Sequence, residues 1–157
     1  MKFICQCQEL RQEIEYAINF STQKNSLSIT SNVLLENSGD TLTIKSTDTK
    51  MSFVSTIDVN TVVPGSTTVF CEKLVAVLKN MPDANIELSD EGGKLTIRPS
   101  EGESNININL KTTDSSKFPE INSCPEDLYF SLPQKDYSEM IDKTSFAASE
   151  DTTRFFL

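Results

Sequence analysis

Two stretches of the chain share one pattern, a short apolar–polar alternation that runs directly into an apolar stripe at helical spacing. The first, residues 2–17, reads KFICQCQELRQEIEYA and places Leu10 and Ile14 on one side of a helix. The second, residues 68–82, reads TVFCEKLVAVLKNMP, and its Leu74 takes the position of Leu10 after a shift of 64 residues. Each stretch therefore predicts a short strand followed by an amphipathic helix.

Alternating segments separated by turn residues follow each predicted helix. After the first helix, residues 31–48 predict a hairpin with its turn at 37–40, and residues 51–59 predict a third strand. After the second helix, residues 85–100 predict a hairpin with its turn at 90–93, and residues 104–112, SNININLKT, predict another third strand. The repeated unit is thus a strand, a helix and three strands.

A third copy of the unit begins near residue 127. Phe130 and Ile141 take the positions of Phe3 and Ile14, and Pro133 suits the start of a helix. These patterns predict a complete domain at 1–114, a polar connector at 115–126, and the incomplete start of a second domain at 127–157. Because the last residues, TRFFL, form an apolar strand segment, we expect the chain to be an N-terminal fragment of a longer protein.

The predicted fold class is α+β. Two strand-helix-three-strand units can pair their sheets antiparallel and cover one sheet face with two helices, which gives a two-layer domain. The segment NININL, residues 105–110, then becomes an edge strand with little charge. Such an edge is either capped within the chain or used as a subunit interface.

The amino-acid composition argues against several kinds of catalytic, metal-binding and nucleic-acid-binding site. The chain has no histidine, which removes Ser-His and Cys-His catalysis, and its four cysteines have poor spacing for zinc, so we expect no metal. The net charge of −9 argues against a simple basic surface for nucleic acid. No apolar run approaches a membrane span and the first residues do not form a secretion signal, so the expected location is cytoplasmic. Asp83 and Asp90 lie in turn-like segments, where solvation is a simpler role than acid–base catalysis.

The chain resembles the bacterial sliding clamp family, the beta subunit of DNA polymerase III. The similarity is collinear and covers nearly the whole length. The segments that carry it are MKF at 1–3, LSITSNVLLE at 27–36, LTIKSTD at 42–48, PGSTTVFCEKL at 64–74, KFPEI at 117–121 and FSLPQKDYSEMIDKTSFAASEDTTRFFL at 130–157.

This resemblance implies the DNA-clamp fold and a role as a DNA replication processivity factor. In the family, two chains of three similar domains each close head to tail into a ring around duplex DNA, with helices lining the hole. The implied protein has no catalytic activity and no cofactor. Its implied partners are duplex DNA, the DNA polymerase III catalytic subunit, a clamp loader and a second copy of itself. The alternative interpretation is a two-layer α+β protein–protein interaction domain unconnected with replication.

The resemblance also implies roles for individual residues. Lys24 falls where the family places a DNA-contacting arginine. Lys79 and Arg11 lie on helix faces away from the apolar stripes, so each of them either points into the hole of the ring and contacts DNA or is simply solvated. Four residues match the first-domain side of the ring interface: Lys73, Lys94, Ile108 and Leu110. Two residues match the border of a pocket for partner peptides and would be a remnant of it here: Arg154 and Leu157. Carboxylates accompany the cations on the two helices and make this surface less basic than the role requires: Glu9, Glu13, Glu15 and Glu72.

Overall fold

The computed structural model describes residues 1–22, 28–101, 106–121 and 130–149. The chain divides into two compact units, Met1–Ile121 and Asn122–Leu157. The described part of the first unit contains these helices and strands: β1 Lys2–Gln6, α1 Cys7–Ala17, β2 Asn32–Ser38, β3 Thr41–Thr47, β4 Ser52–Asp58, β5 Asn60–Val63, β6 Gly65–Phe70, α2 Cys71–Lys79, β7 Asn85–Glu91, β8 Lys94–Pro99 and β9 Ile108–Thr113.

Both predicted strand–helix junctions are present, and each helix begins at the residue after its strand. The buried side of α1 is formed by Cys7, Leu10, Ile14 and Ala17. The buried side of α2 is formed by Cys71, Leu74, Val75 and Leu78. The apolar periodicity of the sequence therefore predicted the face that each helix turns toward the core.

Reciprocal contacts join the two helices. The Cys7 thiol donates to the carbonyl oxygen of Leu78 over 3.7 Å, and the Cys71 thiol donates to the carbonyl oxygen of Ile14 over 4.0 Å. The shift of 64 residues that relates Cys7 to Cys71 also relates Ile14 to Leu78. The beginning of each helix thus lies beside the end of the other, so the two sequence repeats are related by an approximate twofold axis.

The nine strands form one antiparallel sheet in the order β4-β3-β2-β6-β9-β8-β7-β1-β5. The first strand of each repeat lies beside the hairpin of the other repeat. β1 pairs with β7 over the whole of its length, and β6 pairs with β2 from Phe70 to Gly65. Neither repeat completes its own sheet, so the two repeats form one domain.

The last strand of each repeat changes its pairing partner part-way along its length. β4 and β5, at the two ends of the strand order, are consecutive in the chain and separated only by Val59, so one segment pairs first with β3 and then with β1. β9 pairs with β8 from Ile108 to Lys111 and with β6 at Thr112 and Thr113.

The sequence pattern did not predict β5. It also began the last strand too early, since Ile106 precedes β9 and is 37% exposed.

Side-chain hydrogen bonds connect both places where a strand changes its pairing partner. The Asn37 side chain is almost fully buried, accepts a hydrogen bond from the Thr61 hydroxyl at 2.6 Å, and donates to the Lys2 and Val63 carbonyl oxygens. In the other repeat, Asp90 accepts a hydrogen bond from the Thr112 hydroxyl at 3.2 Å. Each contact satisfies polar atoms at the point where a strand changes partners.

The core lies between the two helices and one face of the sheet. Leu42 and Ile44 of β3 are fully buried, whereas the alternating neighbours Thr43 and Lys45 are partly exposed. This alternation is typical of a sheet with one covered face, and it confirms the predicted two-layer α+β fold.

The described part of the second unit contains one helix, α3, Gln134–Ser145, which begins directly after Pro133. All of its side chains are exposed, including the apolar Tyr137, Met140 and Ile141. The domain boundaries given above, 1–114, 115–126 and 127–157, stay a prediction.

We expect the amides of α3 to exchange with solvent at least about 100-fold faster than those of α1 and α2, because no side chain of α3 is buried. A helix of this length gains little stability without tertiary packing. Hydrogen exchange followed by mass spectrometry would measure the difference. Equal protection of the three helices would contradict the expectation.

Candidate functional site

Two surfaces of the first unit carry the predicted functional residues. The first is the outward side of α1 and α2 with the turn after α2, and we call it the helical face. It is defined by its charged residues: Glu9, Arg11, Glu13, Glu15, Glu72, Lys79 and Asp83. Two of these are cations and five are carboxylates, so the helical face has a net negative charge. This surface contains Arg11 and Lys79, the two described residues among the predicted DNA contacts.

Both cations of the helical face are paired with carboxylates. Arg11 Nη2 lies 3.3 Å from Asp83 Oδ1, and Lys79 Nζ lies 3.3 Å from Glu15 Oε1. Each pair joins the first repeat to the second. The structure therefore places Arg11 and Lys79 on one surface, as predicted, but with their charges compensated. Lys24, the third predicted DNA-contact residue, lies outside the described residues.

The second surface is formed by β8, β9 and the start of α2, and we call it the β9 edge. Lys94 and Lys111 lie directly opposite each other on the two strands. A depression of about 270 Å³ lies beside them, and its lining includes Lys73, Leu110 and Lys111. On the side away from β8, the described structure gives Ile108 to Lys111 no strand partner.

The β9 edge contains all four predicted ring-interface residues, but their environments differ. Leu110 is 9% exposed and belongs to the core, where it pairs with Leu95, whereas Ile108 is half-exposed and packs against the margin of the core. Lys73 and Lys94 are exposed. Ile108 is therefore the apolar side chain of this set with area still available to a partner.

Unpaired positive charge distinguishes the β9 edge from the helical face. In the described part of the chain, Lys73, Lys94 and Lys111 make no salt bridge. Like charges directly opposite on neighbouring strands are unfavourable. An anionic partner would relieve this repulsion. Sequence reasoning missed Lys111, although the alternation along β9 turns it outward while Leu110 faces the core.

The buried thiols of Cys5 and Cys71 are unreactive because they stay protonated. Burial raises the pKa of Cys5 to about 12, with a smaller contribution from Cys7, and burial also raises the pKa of Cys71 to about 12. These thiols are protonated at neutral pH and act as small core residues. Among the residues that the structure describes, no cluster of three or more His, Cys, Asp or Glu side chains could hold a metal ion.

The two aspartates considered for acid–base chemistry make structural contacts. Asp83 pairs with Arg11, and Asp90 accepts a hydrogen bond from Thr112. Arg154 and Leu157, the predicted remnant of a peptide pocket, lie outside the described residues. No helix in the described ranges has the length and apolar character needed to cross a membrane.

Comparison with known proteins decides the family. Residues 1–122 match the family model of the DNA polymerase III beta subunit, N-terminal domain. The chain belongs to this family. The beta sliding clamp of Treponema pallidum is 39% identical over 157 residues, which is 100% of this chain and 42% of that protein. The chain thus spans less than half the length of this relative.

Solved structures of the family have the same fold. The Caulobacter crescentus pol III beta structure matches with a TM-score of 0.87 and 28% identity, covering 98% of this chain and 41% of that chain. The Pseudomonas aeruginosa DNA polymerase III subunit beta matches with a TM-score of 0.85 and 29% identity, covering 97% of this chain and 41% of that one. The predicted clamp fold and the predicted family are both confirmed. The alternative of an interaction domain unconnected with replication is not favoured.

Proposed function

We propose that this chain forms part of a ring-forming sliding clamp, a non-catalytic DNA replication processivity factor. The observation that carries the proposal is the match of residues 1–122 to the beta-subunit family, together with the shared fold. In this role the ring encircles duplex DNA and tethers the DNA polymerase III catalytic subunit in the cytoplasm after a clamp loader has placed it. Tethering raises the effective concentration of the polymerase at its template and requires no reaction.

The helical face supports this role as a surface for weak contacts with DNA. A ring slides freely when its contacts with phosphate are weak and prefer no register. Arg11 and Lys79 provide positive charge on this face, and the surrounding carboxylates limit how strongly it attracts DNA. Retention on DNA then depends on ring closure and not on the affinity of this surface.

The β9 edge supports the role as one side of the ring interface. Ile108 offers apolar area, and in the described structure the outer side of β9 from Ile108 to Lys111 has no strand partner. Three lysines that make no salt bridge in the described ranges add positive charge: Lys73, Lys94 and Lys111. The partner surface on a second copy should therefore combine apolar residues with carboxylates. Leu110 is buried and packs β9 against the core, so it positions this surface.

The role can be tested with a chimera. In the Treponema pallidum beta sliding clamp, the part that this chain matches would be replaced by residues 1–157 and loaded onto nicked circular DNA with the loader of that bacterium. We expect the chimera to stay on the circle and to slide off after the circle is cut once. Retention that does not depend on the circle, or no retention of a folded chimera, would overturn the proposed function.

The interface can be tested by charge reversal in the same chimera. We expect Lys94→Glu combined with Lys111→Glu to reduce the retained clamp by about tenfold or more, because like charges then face each other across the interface. Lys50→Glu is the control for reversing a single surface lysine, and it is compared with Lys111→Glu alone, which changes the net charge by the same amount; Lys50 is an exposed lysine between β3 and β4 that makes no salt bridge in the described structure. Equal loss from both variants would exclude the β9 edge as the interface.

A further inference from the structure

The two salt bridges of the helical face form a ladder between the repeats. Arg11 and Glu15 lie one turn apart on α1, while Lys79 ends α2 and Asp83 follows it four residues later. Arg11 pairs with Asp83 and Glu15 pairs with Lys79, so the cation belongs to a different repeat in each rung. The antiparallel arrangement of the helices places these charges opposite one another.

The Glu15–Lys79 pair has a special position in the fold. The shift of 64 residues that relates the two repeats converts position 15 into position 79. These two residues therefore face each other across the approximate twofold axis between α1 and α2. The Arg11–Asp83 pair has no charged counterpart on the other side of this axis, because the equivalent positions are occupied by Val75 and Asn19.

All four charges remain accessible to a large anion. The exposed fraction of the side chain is 57% for Lys79, 42% for Glu15, 63% for Asp83 and 25% for Arg11. A carboxylate oxygen 3.3 Å from the cation occupies the place that a phosphate oxygen would take in a DNA complex. Carboxylate and phosphate therefore compete for the same nitrogen atoms.

We propose that Glu15 and Asp83 are internal counter-charges that compete with DNA phosphates for Lys79 and Arg11, and so set the DNA affinity of the helical face. This inference depends on the proposed function, since it concerns the surface assigned there to DNA. A neutral Lys79–Glu15 pair displaces few cations from DNA, whereas a free lysine that neutralises a phosphate releases about one cation. The carboxylates thereby weaken the contact and reduce its dependence on salt.

The proposal predicts a selective gain on removal of one carboxylate. Glu15→Gln should bind a fluorescein-labelled 20-base-pair duplex about fivefold more tightly than the control Glu13→Gln at 50 mM salt, because an exposed ion pair contributes up to about 1 kcal/mol. The slope of log affinity against log salt should also become steeper by about 0.9. Fluorescence anisotropy of the 157-residue chain between 20 and 150 mM salt would measure both quantities.

The control is matched in position and charge. Glu13 is on the same helix and in the described structure makes no salt bridge, so Glu13→Gln changes the net charge by the same amount without freeing a cation. The double variant Glu15→Gln/Lys79→Gln should show no steepening of the slope relative to Lys79→Gln alone. Circular dichroism would show that each variant keeps its fold.

The outcomes separate this inference from the proposed function. A selective gain in Glu15→Gln that disappears without Lys79 supports the inference. Equal gains in Glu15→Gln and Glu13→Gln would overturn it and assign the effect to net charge, while DNA binding by this domain stands. If neither the wild-type chain nor any variant binds the duplex at 20 mM salt, both the inference and the proposed DNA contact fail.

Discussion

Replacing Leu74 by alanine is expected to lower the free energy of unfolding by about 3–4 kcal/mol. Leu74 is fully buried on the inner side of α2, and its repeat equivalent, Leu10, is fully buried on α1. The substitution removes apolar contacts and leaves a cavity between the helices and the sheet. Because each repeat supplies a strand to the other repeat's hairpin, the loss should destabilise the whole first unit and not α2 alone.

Urea denaturation followed by far-ultraviolet circular dichroism would measure this loss. Tyr16→Ala is a suitable control, since Tyr16 is on α1 but 50% exposed, and its replacement should cost less than about 1 kcal/mol. Leu10→Ala combined with Leu74→Ala should depart from additivity by more than about 0.5 kcal/mol if both side chains share one core. A cost for Leu74→Ala no larger than for Tyr16→Ala would contradict the two-layer arrangement.

Raising the pH from 9 to 11 is expected to destabilise the protein by several kcal/mol. Burial raises the pKa of Cys5 and Cys71 from the ordinary value of 9.0 to about 12. Between these values the native thiols keep their protons while those of the unfolded chain lose them. The stability that the protonated thiols provide is thus complete below pH 9 and is lost as the pH rises toward 12, by about 1.4 kcal/mol per pH unit for each thiol.

Unfolding by urea at a series of pH values would measure this dependence. The comparison is with the double variant Cys5→Ala/Cys71→Ala, which keeps every other ionisable side chain. The slope of unfolding free energy against pH should be less steep in the double variant by about 3 kcal/mol per pH unit, the sum for two thiols. Equal slopes for the two proteins would show that neither thiol has a raised pKa in the native state.

The local elements, and the sides of them that face the core, follow from the amino-acid sequence alone. The apolar spacing in residues 2–17 and 68–82 specifies two helices with inward-facing Leu10 and Leu74. The hairpin turn at Gly92 and Gly93 is also a local property, since both residues have positive φ, which glycine adopts without strain. These features depend on interactions between residues close in the chain, so their periodicity is visible without a structure. The same reading placed Arg11 and Lys79 on the outward side of the helices.

Which strands pair and which charges meet depends on how the elements pack in three dimensions. The apolar–polar alternation of β1 and β6 is compatible with pairing to either hairpin. Each strand pairs with the hairpin of the other repeat because the two repeats share one core. The pairing of β5 with β1, after the chain turns at Val59, and the pairing of Glu15 with Lys79 likewise join segments distant in sequence. Strand partners and ion pairs are set by proximity in space, and the packing of α1 against α2 determines that proximity here.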